Sequence, residues 1–299
     1  MSNIYWPVYK NLELGVLNLS YSIHIDDNQL NVYSSQISDL ILRASAEIES
    51  ISKELYKSNG GLKTSKIKYD SDALEHLNNL WKLDLKSVIV TSVNCFQTLK
   101  ELKPFIKNET STFHNGITYT WNNSYQNLKH DRANSLRFGN LKYLFDIMSA
   151  LYILNLYYKN DTVLLYNDGG GVNFPSNMGS DLFSVKLHKW SLYDENLNYK
   201  KRVDFDECLY FTHYTEQTIE NIKNAYAKDL QEMRSSILHH PKAMEYLKNN
   251  KVEEILDEEL MKKILGDEEY LHFTINNSAN QLEATKYYHW QASLNKNDF

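Results

Sequence analysis

The sequence has few of the residues that interrupt helices, with 4 Pro and 10 Gly among its 299 residues. This scarcity excludes collagen-like and proline-rich disordered chains, and it favours helices, whose interiors tolerate neither residue well. Cysteine is scarce as well, because only Cys95 and Cys208 occur. They form no disulfide framework, and neither belongs to a CxxC pair or to a zinc-ligand spacing. We therefore expect a reducing, cytoplasmic compartment, no bound metal and no cofactor.

The chain also lacks an excess of basic residues and a long apolar run. Its 32 Lys and Arg are outnumbered by 38 Asp and Glu, which gives a net charge of -6. A protein that binds a phosphate backbone over its whole surface is usually basic, so contact with nucleic acid requires a local patch. The longest apolar stretch, residues 147–158, is interrupted by Ser149 and Asn155 and falls short of the ~20 residues of a membrane span. The N-terminus does not resemble a signal peptide. We expect a soluble protein without a membrane partner.

Apolar residues recur with helical spacing in much of the chain. The longest such pattern starts at Ser34 and ends at the stop signal Asn59-Gly60-Gly61. The most apolar one includes Leu141, Leu144 and Met148. Helices are predicted for the segments 34–59, 70–80, 94–103, 141–155, 216–240 and 251–269.

Strand signals dominate two regions, and residues 85–93 are ambiguous between helix and strand because β-branched residues crowd them. Residues 1–33 predict a short hairpin, because the turn signal Asp26-Asp27-Asn28 separates YSIHI from QLNVY. Residues 160–215 combine glycine-rich turns with alternating runs such as LFSVKLHKW and predict a small β insertion. Residues 107–118 predict a polar loop. The fold class is therefore mainly α: a helical bundle with an N-terminal hairpin over 1–159, followed by a smaller α+β extension over 160–299.

A dense polar run precedes the apolar helix, and it reads W-N-N-S-Y-Q-N-L-K-H-D-R from Trp121 to Arg132. If a helix begins near Tyr125, Gln126 and His130 share one face and Lys129 and Arg132 form a neighbouring cationic ridge. A histidine exchanges protons near neutral pH, and an adjacent Arg or Lys stabilises a phosphate or a phosphorane without a metal. These groups suit transesterification of RNA by its own 2′-hydroxyl.

The run resembles the signature of the HEPN superfamily, in which an Arg, often followed by Asn, precedes a His by four to six residues at the start of a late bundle helix. Tyr125 stands at the position of that Arg, Gln126 at that of the Asn, and His130 matches the His. A bacterial subset with a Tyr-Asn-x-x-Lys-His-x-Arg motif is more similar still, and its first helix often reads like residues 43–49 of this chain. The similarity covers about residues 34–158.

This resemblance implies a bundle of four or five helices, frequently a homodimer. Active members are metal-independent endoribonucleases of toxin–antitoxin, phage-defence and CRISPR-associated systems, and other members are non-catalytic binding modules. It implies that the chain binds or cuts RNA in a bacterial defence or toxin system. The roles that follow are acid–base chemistry for His130, phosphate binding for Arg132 and Lys129, substrate orientation for Gln126 and Asn127, and base stacking or hydroxyl donation for Tyr125.

Other interpretations of the same residues remain open. Lys129, His130 and Arg132 are also suited to capping a helix start, and Tyr125 to anchoring the core. Arg43 and Glu47 lie four residues apart and form either a simple ion pair or part of the substrate site, where they position His130 from a facing helix. For the whole molecule, the alternative is a non-catalytic helical scaffold that holds a protein partner.

Overall fold

The computed structural model describes residues 3–93, 95–113, 115–189, 198–250 and 258–298. The described helices are α1 (Tyr5–Leu19), α2 (Ser35–Ser58), α3 (Leu74–Trp81), α4 (Thr120–His130), α5 (Leu141–Lys159), α6 (Glu216–Leu238), α7 (Pro241–Asn249), α8 (Glu258–Leu265), α9 (Asp267–Asn276) and α10 (Ala279–Thr285). The described strands are β1 (Val88–Val90), β2 (Lys100–Leu102), β3 (Lys107–Thr110), β4 (Ile117–Tyr119), β5 (Val163–Tyr166), β6 (Phe183–Val185), β7 (Leu187–His188), β8 (Tyr210–Tyr214) and β9 (Trp290–Leu294). Helices are the dominant element, as predicted.

The two longest helices of the N-terminal half begin and end where their sequences indicate. Ser34 caps α2 through its hydroxyl, which accepts from the backbone N–H of Ile37 at 3.1 Å. Asn140 caps α5 in the same way, since its side-chain oxygen accepts from Tyr143 N–H at 3.2 Å. Both predicted helices are confirmed. The two helices contact each other, and each also contacts α1 and α4.

The predicted N-terminal hairpin is wrong, because residues 5–19 form the helix α1 and the two segments expected to pair form bridges elsewhere, Ile25 with Cys95 and Tyr33 with Asn140. One face of this helix is buried, and its apolar side chains recur every three or four positions: Tyr5, Tyr9, Leu12, Val16 and Leu19. The turn signal further along is a 3-10 turn, in which the side chain of Asp26 accepts from two backbone N–H groups. Burial against α2 and α5 therefore decides the structure of this segment.

Two expectations for residues 94–118 are also wrong. Instead of a helix, the described residues of 94–103 contain the short strand β2, which pairs antiparallel with β1 in a sheet of order β2-β1-β6. Instead of an unstructured loop, residues 107–119 contain the antiparallel pair β3 and β4, with Lys107 opposite Tyr119 and Thr110 opposite Ile117. Antiparallel pairing between strands that are neighbours in the sequence overrides the local pattern here.

The β-rich character of the segment after α5 is confirmed by β5 to β8. The strands β5, β9, β8 and β7 form a sheet in that order, and β7 and β8 run parallel. The contacts divide the chain into two units, the first comprising Met1–Val163, Gly170–His213 and Ala292–Phe299, and the second Leu164–Gly169 and Tyr214–Gln291. The division therefore does not follow the expected boundary at 159/160.

The second unit is helical and has its own apolar core. That core consists of Met233, Ile237, Ala243, Met261 and Leu265. The helix predicted over 216–240 is confirmed as α6, and Pro241 begins the next helix. Of the acidic helix predicted over 251–269, residues 251–257 lie outside the described residues, and the remainder contains α8 and the start of α9.

Among the described residues, no helix, α5 included, has both the length and the apolar character that crossing a membrane requires.

Candidate functional site

Five of the residues predicted to form the site lie in the second half of α4 and not, as expected, at its start: Tyr125, Gln126, Asn127, Lys129 and His130. The helix begins at Thr120, five positions before Tyr125, and its last residue is His130. Asp131 follows at the C-terminal cap, where its N–H donates to the carbonyl of Asn127 at 2.9 Å. The expected helix start near Tyr125 is wrong, and so is the interpretation of Lys129, His130 and Arg132 as caps of a helix start.

The end of α4 exposes three basic or titratable side chains. Lys129, His130 and Arg132 are all exposed, and the imidazole of His130 stacks on the ring of Phe113 at a centroid distance of 4.7 Å and an angle of 20°. We call Phe113, Lys129, His130 and Arg132 the His130 surface. Cations are favoured in the last turn of a helix, where the carbonyl groups give a partial negative charge.

Arg132 has its guanidinium available at this surface. It lies just beyond the helix and is exposed, and no described residue forms an ion pair or a side-chain hydrogen bond with it. Only its backbone carbonyl is used, by the N–H of Ser135 at 3.3 Å. The guanidinium is therefore able to make the two parallel hydrogen bonds that bind a phosphate.

Tyr125 belongs to the core and not to the surface. Its ring is buried and lies edge-on to Tyr69 at 6.5 Å. The ammonium group of Lys129 lies over the same ring, 5.1 Å from its centroid. The prediction that Tyr125 stacks a substrate base is therefore wrong, while its alternative role as a core anchor agrees with its burial.

Gln126 and Asn127 are engaged below the surface. The amide of Gln126 donates to the hydroxyl of Tyr69 at 3.2 Å. Asn127 is buried, and its amide donates to Thr112 Oγ1 at 2.6 Å and to the carbonyl of Asn123 at 2.8 Å. Because these donors are already used, the expected role of both residues in orienting substrate does not agree with their contacts.

Arg43 and Glu47 lie on α2, and Arg43 contacts α1. The guanidinium of Arg43 donates to the side-chain oxygen of Asn11 at 3.1 Å. Burial raises the pKa of Glu47, and the nearby charge of Arg43 opposes that rise. No contact among the described residues joins either side chain to His130. The structure therefore does not bring this pair to the His130 surface.

A network of buried amides supports the surface from below, and sequence reasoning missed it. The side-chain oxygen of Asn123 accepts from the N–H of Thr112 at 2.9 Å, and its amide donates to Glu109 Oε1 at 2.8 Å. Tyr143 on α5 donates its hydroxyl to the same oxygen at 2.8 Å. The network fixes the segment between β3 and β4, which carries Phe113, onto α4. The only signal for it in the sequence is the i, i+4 spacing of Asn123 and Asn127.

A cleft beside this network contains a second group that the sequence did not indicate. Burial raises the pKa of Asp146 on α5 to about 7; the charge of Lys142 opposes the rise and that of Glu109 adds to it. The carboxyls of Asp146 and Glu109 both line the cleft, together with Lys142 and Thr120. A carboxyl that changes its charge near neutral pH is suited to proton transfer or to a pH response.

No family model matches the chain, and neither a curated protein nor a solved structure similar to it was found. The resemblance to the HEPN superfamily stays a prediction based on the residues of α4.

Proposed function

We propose that the protein binds RNA through the His130 surface and that His130 acts there as a proton donor and acceptor in metal-independent cleavage. The single observation that carries the proposal is the exposure of Lys129, His130 and Arg132 within four residues at one end of α4. A buried imidazole or a guanidinium held in a structural ion pair would have excluded the proposal.

Phosphate binding at this surface depends on side chains. The N-terminus of a helix attracts anions through its N–H groups, but the His130 surface lies at a C-terminus, where the carbonyl groups repel them. Lys129 and Arg132 therefore have to supply the attraction, and Arg132 is the better ligand because its planar guanidinium matches two phosphate oxygens. The imidazole of His130, stacked on Phe113, extends an aromatic platform on which an unpaired base stacks.

The cleavage step needs one proton acceptor and one charge stabiliser. His130 takes the proton of a ribose 2′-hydroxyl, whose oxygen attacks the adjacent phosphorus while the bond to the 5′-oxygen breaks. Arg132 stabilises the negative charge of the phosphorane. The protonated imidazole then returns its proton to the leaving 5′-oxygen, and the product strand ends in a 2′,3′-cyclic phosphate.

The proposal includes a HEPN-like bundle in a bacterial defence or toxin setting, with a homodimer as the assembly. Its support is the set of four helices α1, α2, α4 and α5, in which α2 and α5 contact each other and both other helices. Tyr125 departs from the superfamily motif, since an aromatic core residue replaces the Arg that binds phosphate there. Arg132, on the other side of His130, takes over that role in the proposal.

The cleavage step is tested by incubating the full chain with single-stranded RNA in EDTA and analysing the strand ends. We expect products with 2′,3′-cyclic phosphate ends, and a rate lower by about 10²–10⁴-fold for His130→Ala. The matched control is His272→Ala, which removes another exposed histidine, on α9, and leaves the rate unchanged. Absence of cleavage by the folded wild-type protein contradicts the catalytic role, and a rate unchanged by His130→Ala contradicts the assignment of the site. Binding of a protein partner in place of RNA supports the scaffold alternative.

A further inference from the structure

A second group of chemically reactive side chains lies in the β-rich part of the first unit. His188 is on β7, and Asp204 and Cys208 lie in the turn that leads to β8. The imidazole Nδ1 lies 2.9 Å from Asp204 Oδ1, and Cys208 Sγ lies 3.9 Å from Asp204 Oδ2. One nitrogen, one sulfur and one carboxylate oxygen thus lie within 4.8 Å of one another.

The backbone holds these three residues in place from several sides. The parallel pairing of β7 with β8 sets His188 opposite Phe211. In the turn, the N–H of Cys208 donates to the carbonyl of Asp204 at 3.2 Å, so the two side chains are four residues apart on one face of a helical turn. The carbonyl of Cys208 accepts from Lys86 Nζ and from the amide of Asn295, both at 3.2 Å.

The hydrogen bonds of His188 do not account for its burial. Its side chain is completely buried, and Nε2 has no hydrogen-bond partner. A buried imidazole that only fills the core normally uses both nitrogens, because an unsatisfied polar atom in the interior is unfavourable. Its ring lies edge-on to Tyr199 and Phe205, and its one hydrogen bond among the described residues joins Nδ1 to the carboxylate of Asp204, on the side of the ring that belongs to the cluster.

We propose that His188 Nδ1, Asp204 and Cys208 Sγ bind a zinc ion, with a water molecule as fourth ligand. Nitrogen, thiolate sulfur and carboxylate oxygen are the three donor types that Zn²⁺ takes in proteins, and tetrahedral coordination sets donor atoms about 3.3–3.8 Å apart. The widest pair of the cluster has to close by about 1 Å to reach this spacing. The Asp204 side chain is 53% exposed, so solvent reaches the ion from that side.

The site escaped sequence analysis because its ligands have no zinc-type spacing. Sixteen positions separate His188 from Asp204, and only the pairing of β7 with β8 brings them together. The expectation of a protein without a metal is replaced by this proposal. The bound ion joins β7 to the turn before β8, and it is separate from the His130 surface, whose chemistry needs no metal.

The test is metal binding by the full chain, with any affinity tag removed and after treatment with EDTA followed by dialysis. Zn²⁺ is titrated in competition with a chromophoric chelator, and Co²⁺ serves as a spectroscopic probe. We expect one tight site per chain, a thiolate-to-cobalt charge-transfer band in the ultraviolet, and a melting temperature higher by about 3–8 °C with Zn²⁺. Lack of a stoichiometric site in the folded wild-type protein overturns the proposal.

The variants separate this cluster from other cysteine chemistry. Cys208→Ser abolishes the charge-transfer band, while Cys95→Ser, which removes the other buried cysteine, leaves both the band and the stoichiometry unchanged. Asp204→Asn, at a partly exposed side chain, lowers the Zn²⁺ affinity by at least about tenfold and keeps the fold, as amide exchange verifies. If Cys208→Ser does not fold, the Zn²⁺ affinity of Asp204→Asn tests the proposed ligands in its place. A band lost in Cys95→Ser, or an affinity unchanged in Asp204→Asn, contradicts the proposed ligands.

Discussion

At the scale of single residues, Asp146 makes stability depend on pH in an unusual direction. Its pKa of about 7 in the folded protein lies above the ordinary value of 3.8, because burial disfavours the charged form. The folded protein therefore binds this proton more tightly than the unfolded chain does. Its contribution to the free energy of unfolding is fully present below about pH 4, decreases as the pH rises to about 7, and is constant above that.

Asp146→Asn tests this effect by chemical unfolding at several pH values. A pKa shift of this size corresponds to about 4 kcal/mol at most, and partial solvent contact reduces it to about 1–3 kcal/mol. The variant should be more stable than wild type by that amount at pH 8 and similar to it near pH 4. The control Asp39→Asn, at an exposed position of α2, should show no such trend. A stability difference that does not change with pH contradicts the assignment.

At the scale of elements, the connection between β3 and β4 is held to α4 by the side chains of Asn123 and Asn127, which both bind Thr112. Asn123 accepts from the N–H and hydroxyl of Thr112, at 2.9 and 3.2 Å, and donates to Glu109. This attachment positions Phe113 against His130. The hairpin of β3 and β4 is therefore part of the proposed RNA site.

Asn123→Ala should loosen this connection, which Asn127 then holds alone, and weaken RNA binding. We expect an affinity for single-stranded RNA lower by about 3–10-fold and a free energy of unfolding lower by about 1–3 kcal/mol, because buried groups lose their partners. Fluorescence anisotropy and urea unfolding measure the two effects. Asn224→Ala, on the exposed face of α6, serves as control. An unchanged affinity together with the expected loss of stability would show that the hairpin does not contribute to the site.

Elements were predictable from sequence where the local pattern and the tertiary contacts agree. The helices α2 and α5 have long apolar periodicities and capping residues, Ser34 and Asn140, that mark their starts. The strands β3 and β4 have only four and three residues, and β3 is polar, so their pairing identifies them. The helix α1 was missed because the turn residues around Asp26 outweighed the apolar spacing of residues 5–19.

The same limit applies to the sites. Exposure of Lys129, His130 and Arg132 agrees with the sequence prediction, because a cluster of charged groups stays in water. Tyr125 and Asn127 were misplaced because the helix begins five residues earlier than expected, which directs their side chains inward. The cluster of His188, Asp204 and Cys208 depends on a strand pairing that no local pattern reports.

At the scale of the whole molecule, the net charge of -6 makes diffuse attraction of RNA unfavourable, so binding has to come from a small local set of cations. Each phosphate contact on a single strand contributes about -0.7 to the slope of log K against log salt. Two contacts, from Lys129 and Arg132, predict a slope of about -1.4. RNA binding through these two cations is confined to the His130 surface, and its affinity depends only weakly on the salt concentration.

The most direct measurement is the affinity for a labelled single-stranded RNA, by fluorescence anisotropy over a series of salt concentrations. Two triple variants carry matched changes: Lys129→Ala, His130→Ala and Arg132→Ala at the proposed site, and Lys223→Ala, Lys248→Ala and His272→Ala at exposed positions of the second unit. The first should lower the affinity by at least about tenfold and flatten the salt slope, and the second should leave both within about twofold. Equal losses in the two variants, or wild-type protein that does not bind RNA at low salt, would contradict the account.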